Sequence, residues 1–235
     1  MSWVELVRER AVPVGPVVPL EARTVLVVIA VALAVIVVGP LWRVLRIGVT
    51  LVHELGHALI GLAVGRKFSG FVLRGDMSGH AVTSGPPRGL GRVLSTWSGY
   101  PAPAVVGALM VWAAVRGWSA PVITAALLVL VVSLVRVRSF LTAVVMVAVL
   151  AATGALWWWR DDALQAQVLI AVGLVLVIGA WRHLGAVLRD GSRGSDPAVL
   201  ASLTHVPKAL WNVSFVLVCA AATWLVFSEL AGFVR

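Results

Sequence analysis

Charged side chains are scarce in this chain. Asp, Glu, Lys and Arg together make up 12% of its 235 residues, whereas an ordinary soluble domain has about 25%. Hydrophobic residues make up 60%, and the mean hydropathy is +1.00. So few polar groups cannot cover a water-exposed surface, which excludes an ordinary soluble globular domain. The composition predicts an all-α polytopic membrane protein, because helices satisfy their own backbone hydrogen bonds inside lipid.

Cysteine and acidic residues are also rare. The lone cysteine, Cys219, excludes an intramolecular disulfide and is expected to pack as a small apolar side chain. Ten acidic residues against nineteen basic ones give a net charge of +9. These basic residues are spread over short segments between apolar stretches, which excludes a basic domain for nucleic acid. We expect them to contact anionic lipid headgroups of the bilayer.

Seven apolar stretches have about the length needed to cross some 30 Å of hydrocarbon. Residues 1–23 precede them and are expected to form a short cytoplasmic tail. Residues 24–235 are expected to form one membrane-embedded domain. The predicted spans are residues 24–42, 44–64, 95–115, 119–135, 139–158, 164–181 and 209–230.

The distribution of basic residues predicts the orientation of these spans. With seven spans, the N-terminus shares a side of the membrane with residues 65–94, 136–138 and 182–208. This side has fourteen Lys and Arg residues, and the other side has five. Because short cytoplasmic loops retain basic residues, the N-terminus is predicted to be cytoplasmic. Seventeen Arg against two Lys indicate a GC-rich bacterial genome, and hence the plasma membrane.

One motif stands out within the second predicted span. The run His53-Glu54-Leu55-Gly56-His57 has the His-Glu-x-x-His pattern of zinc hydrolases, and residues 47–64 contain no other charged residue. On a helix the two histidines lie about 40° apart around the axis and about 6 Å apart along it, so both can bind one zinc ion. Glu54 is then placed to act as the general base that takes a proton from water at the metal.

The membrane setting supports a functional role for this motif. An ionisable residue near the middle of a membrane helix costs about 2.5–3.5 kcal/mol on insertion scales, so it normally faces the protein interior and has a function. The alternative is a pair of histidines that form hydrogen bonds between helices, beside a protonated Glu54. The motif favours the zinc site.

A catalytic zinc usually has three protein ligands, so the motif lacks one. Residues 190–207 are the most informative place to look for it. Ser195 or Asp196 can cap a short helix whose first position is Pro197, and this helix can carry Asp196 toward the metal. An aspartate that only caps the helix is the alternative. The candidates at the depth of the motif are Asp190, Asp196, His80 and His205.

The chain resembles the site-2 proteases, which are polytopic zinc metallopeptidases that cut substrates within or near the membrane. The resemblance covers residues 44 to about 115 and rests on the run from Val52 to Ala58, on the turn-rich segment after it, and on Gly99-Tyr100-Pro101-Ala102-Pro103. The last run is similar to the family's Gly-Pro-x-x-Asn element, but the asparagine is missing. Tyr100 is the candidate to replace it.

The resemblance also bears on the third ligand. In the family this ligand is the aspartate of a Leu-Asp-Gly motif, which is absent here. Arg189-Asp190-Gly191 comes nearest to it literally, whereas the segment around Asp196 looks like the corresponding element of a divergent bacterial branch. The resemblance therefore implies a zinc site of His53, His57 and Asp196, with Glu54 as the catalytic base. It implies hydrolysis of membrane-protein or peptide substrates by regulated intramembrane proteolysis.

Residues 66–94 are predicted to form a hairpin-like segment. Two short strand-like runs, residues 68–73 and 80–83, flank residues 74–79, which have the composition of a hairpin turn. An exposed strand edge can bind an extended peptide through main-chain hydrogen bonds, which suits a protease. A cytoplasmic hairpin with no role in substrate binding is the alternative.

Two other classes of membrane protein also place histidine and glutamate inside the bilayer. A transporter tends to have internal repeats and discontinuous helices in corresponding halves, and the sequence has neither. A catalytically inactive, scaffold-like relative of the metalloproteases would have an incomplete third-ligand motif. Metal content distinguishes that scaffold from an enzyme.

Overall fold

A computed structural model of the chain describes residues 2–15, 20–74, 79–189, 192 and 194–233. Helices dominate this part of the chain, and a two-stranded antiparallel sheet follows the third helix. The strands are β1 (Lys67–Leu73) and β2 (Gly79–Ser84). The helices are α1 (Trp3–Ala11), α2 (Ala22–Val37), α3 (Gly39–Ala63), α4 (Leu90–Trp97), α5 (Pro101–Val115), α6 (Ser119–Leu134), α7 (Phe140–Trp158), α8 (Asp162–Arg189), α9 (Asp196–Thr204) and α10 (Lys208–Leu230), and a 3₁₀ turn, Ala231–Phe233, follows the last of them.

Four helices of the described residues are long and apolar enough to cross a membrane: α3, α7, α8, and α10 with its 3₁₀ turn. The pair α4 and α5, bent by 60°, can form a fifth span. Helices α2 and α6 are apolar but have 16 residues each, or about 24 Å at 1.5 Å per residue. The helical architecture is confirmed, with four or five candidate membrane spans among the described residues, and the number of seven stays a prediction.

The boundary between the first two predicted spans is wrong by several residues. Helix α2 ends at Val37, and Pro40 lies in the first turn of α3, where its missing N–H is not needed. Trp42 is therefore inside α3 rather than at the end of the first span. Arg182 of α8 contacts both sides of the junction between α2 and α3. It donates a hydrogen bond of 3.0 Å to the Ile36 carbonyl, and its guanidinium lies 4.1 Å from the Trp42 ring centroid.

Helix α8 is longer than the sixth predicted span, residues 164–181. It has 28 residues and continues to Arg189, because the polar residues that end the apolar stretch do not break a helix. Arg182 and His183 thus lie in a helix and not in a loop. In the same way, α4 begins at Leu90 within the predicted loop 66–94.

Helices α5 and α8 pack together at the centre of the bundle. A Cβ on Gly107 of α5 would lie 2.5 Å from the carbonyl oxygen of Gly173 on α8, so only glycine permits this separation of the two helices. Helix α10 covers the pair with Phe215, which is fully buried. The first turn of α5 and the last turns of α8 are thereby held at one end of the bundle.

The predicted hairpin is confirmed at this end. Strands β1 and β2 pair from Lys67 opposite Ser84 to Leu73 opposite Gly79. The other edge of β1 contacts the α6–α7 connection, where the Phe71 amide donates to the Arg136 carbonyl at 3.2 Å. Strand β1 is therefore inner, and β2 has the outer edge.

Helix α1 lies at the opposite end of the bundle. Arg10 donates a hydrogen bond of 3.2 Å to the carbonyl of Trp157 at the end of α7, and the Val14 amide donates to Gly117, between α5 and α6, at 3.1 Å. The hairpin contacts the other ends of α6 and α7. The prediction that the N-terminus shares a side with residues 65–94 and 136–138 is therefore wrong. The prediction assumed two full crossings, one by α2 and one by α3, which would return the chain to the end of the bundle where α1 lies.

Candidate metal centre

Helix α3 presents the motif histidines on one face. Their spacing of four residues brings the rings to a centroid separation of 4.7 Å in a T-shaped arrangement, as expected for neighbours on a helix. The Nε2 atoms of His53 and His57 are 3.1 Å apart. Both nitrogens thus point to the same small volume.

Asp196 reaches this volume from the other end of the sequence. Ser195 is the N-cap residue of α9, in an extended conformation and without a side-chain capping hydrogen bond, and Asp196 and Pro197 form the first turn. The Asp196 Oδ2 atom lies 3.4 Å from Nε2 of His53 and 3.2 Å from Nε2 of His57. Burial would raise the pKa of the Asp196 carboxyl, but the two adjacent imidazoles hold it well below its usual value, so the group is an ionised carboxylate.

These three atoms have the separations that a metal ion requires. A tetrahedral zinc ion with bonds of about 2.0–2.1 Å separates its ligand atoms by about 3.3–3.4 Å. The observed separations are 3.1, 3.2 and 3.4 Å. Two imidazoles and one carboxylate are also a donor set typical of catalytic zinc, with a fourth position left open. The residues therefore fit the ion that the sequence predicts.

Helix α4 and the bend that follows it pack against the His57 ring. The Nδ1 atom of His57 lies 2.7 Å from the Ser95 carbonyl, which can only accept, so Nδ1 carries the proton and Nε2 keeps its lone pair for a metal. The Ser95 hydroxyl in turn donates to the His57 carbonyl at 2.9 Å. Gly99 follows at the bend, where a Cβ would lie 2.8 Å from Cε1 of His53. Any side chain there would collide with the imidazoles.

Glu54 lies beneath the start of β2. Its side chain is buried, and a Cβ on Gly79 would lie 2.7 Å from its Oε1 atom. A cavity of about 440 Å³ opens between β2 and the histidines. The residues that line it include His53, Glu54, His57, Asp196, Tyr100 and residues 79–83. The outer strand thus runs along the wall of the cavity that contains the motif.

The remaining candidates from the sequence lie elsewhere. His80 is exposed on the cavity wall, and His205 is exposed at the end of α9, where it has a left-handed backbone with φ 60°. Neither belongs to a group of potential metal ligands among the described residues. Asp190 lies outside the described residues. Tyr100 is adjacent to the cluster, with its ring centroid 4.9 Å from that of His53.

Three further residues lie at or beside the site: Ser95, Gly79 and His183. Ser95 acts through its backbone carbonyl, Gly79 acts through its lack of a side chain, and His183 was assigned to a loop. Residue types give no local signal for the first two. The third could have been found, because a histidine next to an apolar stretch that a helix continues is a candidate for a buried functional group.

A protein-family model described as Peptidase M50B-like matches residues 26–226 of the chain. The matched stretch begins in α2 and ends in α10, and it contains both the motif helix and α9. No curated protein and no solved structure matches the chain.

Proposed function

Because the chain belongs to the Peptidase M50B-like family, that of the site-2 proteases, we propose that it is a membrane-embedded zinc endopeptidase that hydrolyses peptide bonds of membrane-associated substrates. One observation carries the proposal. The nitrogen atoms of His53 and His57 and a carboxylate oxygen of Asp196 lie 3.1–3.4 Å from one another, although α9 is far from α3 in sequence. Glu54 lies next to them in the same cavity.

The residues around the cavity have separable roles in this proposal. His53, His57 and Asp196 would hold the zinc ion, which would supply a Lewis acid for the peptide carbonyl and lower the pKa of water. Glu54 accepts the proton of the attacking water and returns it to the leaving amine. Its burial under Gly79 keeps bulk water from the carboxylate. Tyr100 is the candidate to orient the substrate carbonyl in place of the family's asparagine.

The outer edge of β2 is the proposed binding site for the substrate backbone. The inner strand already contacts the α6–α7 connection through Phe71 and Arg138, whereas residues 79–83 of β2 line the cavity. An extended peptide that pairs with β2 would pass beside the metal ligands. A helical substrate must unwind to do so, which exposes the amide that is cut.

Zinc content tests the proposal directly. Purified in detergent without chelators, the wild-type chain is expected to contain about one zinc per molecule, and His57→Ala is expected to lose most of it. Elemental analysis measures both. Near-zero zinc in both proteins would refute the zinc site and favour the interhelical histidine pair. Zinc in the wild type without hydrolysis of any membrane substrate would favour the inactive scaffold.

The end of the bundle that holds the metal ligands is proposed to face the cytoplasm. Among the described residues, nine basic residues lie in its connections and helix ends, whereas α1, the first turn of α2 and the two connections at the opposite end hold five. This excess supports a cytoplasmic location for the metal end, with α1 on the other side of the membrane. The nine residues are Arg66, Lys67, Arg74, Arg88, Arg92, Arg136, Arg138, Arg189 and Lys208.

Cysteine labelling is expected to show this orientation. The only natural cysteine, Cys219, is buried and can be replaced by alanine. Val4 of α1 and Ser84 of β2 are both exposed. In intact cells a membrane-impermeant maleimide should label Val4→Cys, and it should label Ser84→Cys only after lysis. The opposite pattern would reverse the orientation, and equal labelling of both sites would contradict their location at opposite ends.

A further inference from the structure

The two motif histidines differ in the contacts of their second ring nitrogen. In His57, Nδ1 donates to the Ser95 carbonyl at 2.7 Å. In His53, Nδ1 is buried and has no hydrogen-bond partner among the described residues. A histidine that binds a metal almost always donates its other N–H to a carboxylate, a carbonyl or water, which fixes the ring and its tautomer. His53 therefore needs a partner that direct contacts do not supply.

His183 of α8 has the complementary deficiency. Its Nε2 atom is also buried without a hydrogen-bond partner among the described residues. Its ring centroid lies 6.4 Å from that of His53, with an interplanar angle of 67°. At this distance the two rings are too far apart for a direct hydrogen bond, but one water molecule can join them.

The packing of α3 on α8 sets this arrangement. A Cβ on Gly179 would lie 2.5 Å from a methyl group of Val49, so the two helices are in close contact there. His183 follows Gly179 by one helical turn, and His53 follows Val49 by one turn, so each histidine is on the face of its helix that meets the other. The remaining two histidines outside the motif, His80 and His205, are exposed.

We propose that His183 is a positioning residue of the metal centre, and that it holds the His53 ring through one water molecule. In this arrangement His53 Nδ1–H donates to the water and the water donates to Nε2 of His183. The water thus does for His53 what the Ser95 carbonyl does for His57. The inference rests on the proposed function, because it assigns a role relative to the zinc that His53 is proposed to bind.

Metal affinity tests this role without an activity assay. His183→Leu removes the acceptor, and its zinc affinity, measured by chelator competition on the full chain in detergent, is expected to fall about 10- to 100-fold. The spectrum of the Co²⁺-loaded variant is expected to change, because the His53 ring is no longer fixed. His183→Asn keeps a polar side chain and should recover part of the affinity. His205→Asn is the matched control, since it removes an exposed imidazole and tolerates the left-handed backbone.

The outcomes separate this inference from the proposed function. If the wild type binds zinc and His183→Leu binds it within twofold, with an unchanged Co²⁺ spectrum, the positioning role is wrong. A loss of hydrolysis in His183→Leu with normal zinc affinity would also overturn it, since His183 would then act on the substrate. An equal loss of affinity in the Leu and Asn variants, together with reduced thermal stability of both, would assign His183 to packing. No zinc in the wild type would refute the proposed function itself.

Discussion

Glu54→Gln is expected to abolish peptide hydrolysis while the protein keeps its zinc. Glutamine has nearly the shape of glutamate, so it fits under Gly79, where the side chain is buried. It cannot accept a proton, and the loss of a general base lowers rates by about 10²- to 10⁴-fold. Zinc stays because the proposed ligands are His53, His57 and Asp196, and Glu54 is not in their cluster. Hydrolysis of a validated substrate and elemental zinc are measured on the same preparation.

A second glutamate provides the control. Glu21 is exposed at the start of α2 and makes no side-chain capping hydrogen bond, so Glu21→Gln should behave as the wild type in both measurements. Hydrolysis by Glu54→Gln within about tenfold of the wild type, a difference of about 1.4 kcal/mol, would exclude Glu54 as the base. Loss of zinc together with activity would instead make Glu54 a ligand or a structural support of the site.

Asp196→Ala is expected to remove most zinc binding and all activity. Asp196 is the only proposed ligand with a negative charge, and its Oδ2 atom lies 3.4 and 3.2 Å from the two histidine Nε2 atoms. Its removal leaves two neutral imidazoles, which bind zinc far more weakly than a complete three-ligand site. Pro197 and the buried Leu200 remain, so α9 should still form. Chelator competition and hydrolysis of the same substrate measure the effect.

Asp190→Ala serves as the comparison, because Asp190 is the other aspartate that the sequence offers at this depth. It is expected to change zinc affinity and activity little. The reverse result would transfer the third-ligand role to Asp190. Normal zinc binding in both variants would make His205 or His80 the candidate third ligand, although the exposure of both side chains argues against that role.

The helical membrane architecture could be predicted from the sequence, but the ends of its helices could not. Hydropathy reports where a segment stops being apolar, which differs from where its backbone hydrogen bonds stop. Helix α8 therefore runs on through Arg182 and His183 to Arg189. For the same reason the break at Val38 was placed too late, since Trp42 is apolar enough to extend a span that had already ended.

Membrane sidedness depends on these helix ends. Each full crossing reverses the side of everything that follows, so one miscounted pair moved α1 to the wrong end of the bundle. The contacts of Arg10 and Val14 with residues 117 and 157 correct that placement. The excess of basic residues at the metal end does not depend on where α1 lies, because it comes mainly from the connections around the hairpin and α9.

The motif could be recognised from the sequence because its geometry is local. A helix places residues four apart on one face whatever surrounds it, so His53, Glu54 and His57 needed no knowledge of the fold. The family resemblance singled out Asp196 among several candidates, and only the tertiary structure shows it within 3.4 Å of both histidines. The carbonyl of Ser95 and the bare backbone of Gly79 could come only from the structure, as could the position of the half-buried His183 ring beside His53. Contacts between distant segments depend on how whole helices pack, and the spacing of residues along the chain does not determine this packing.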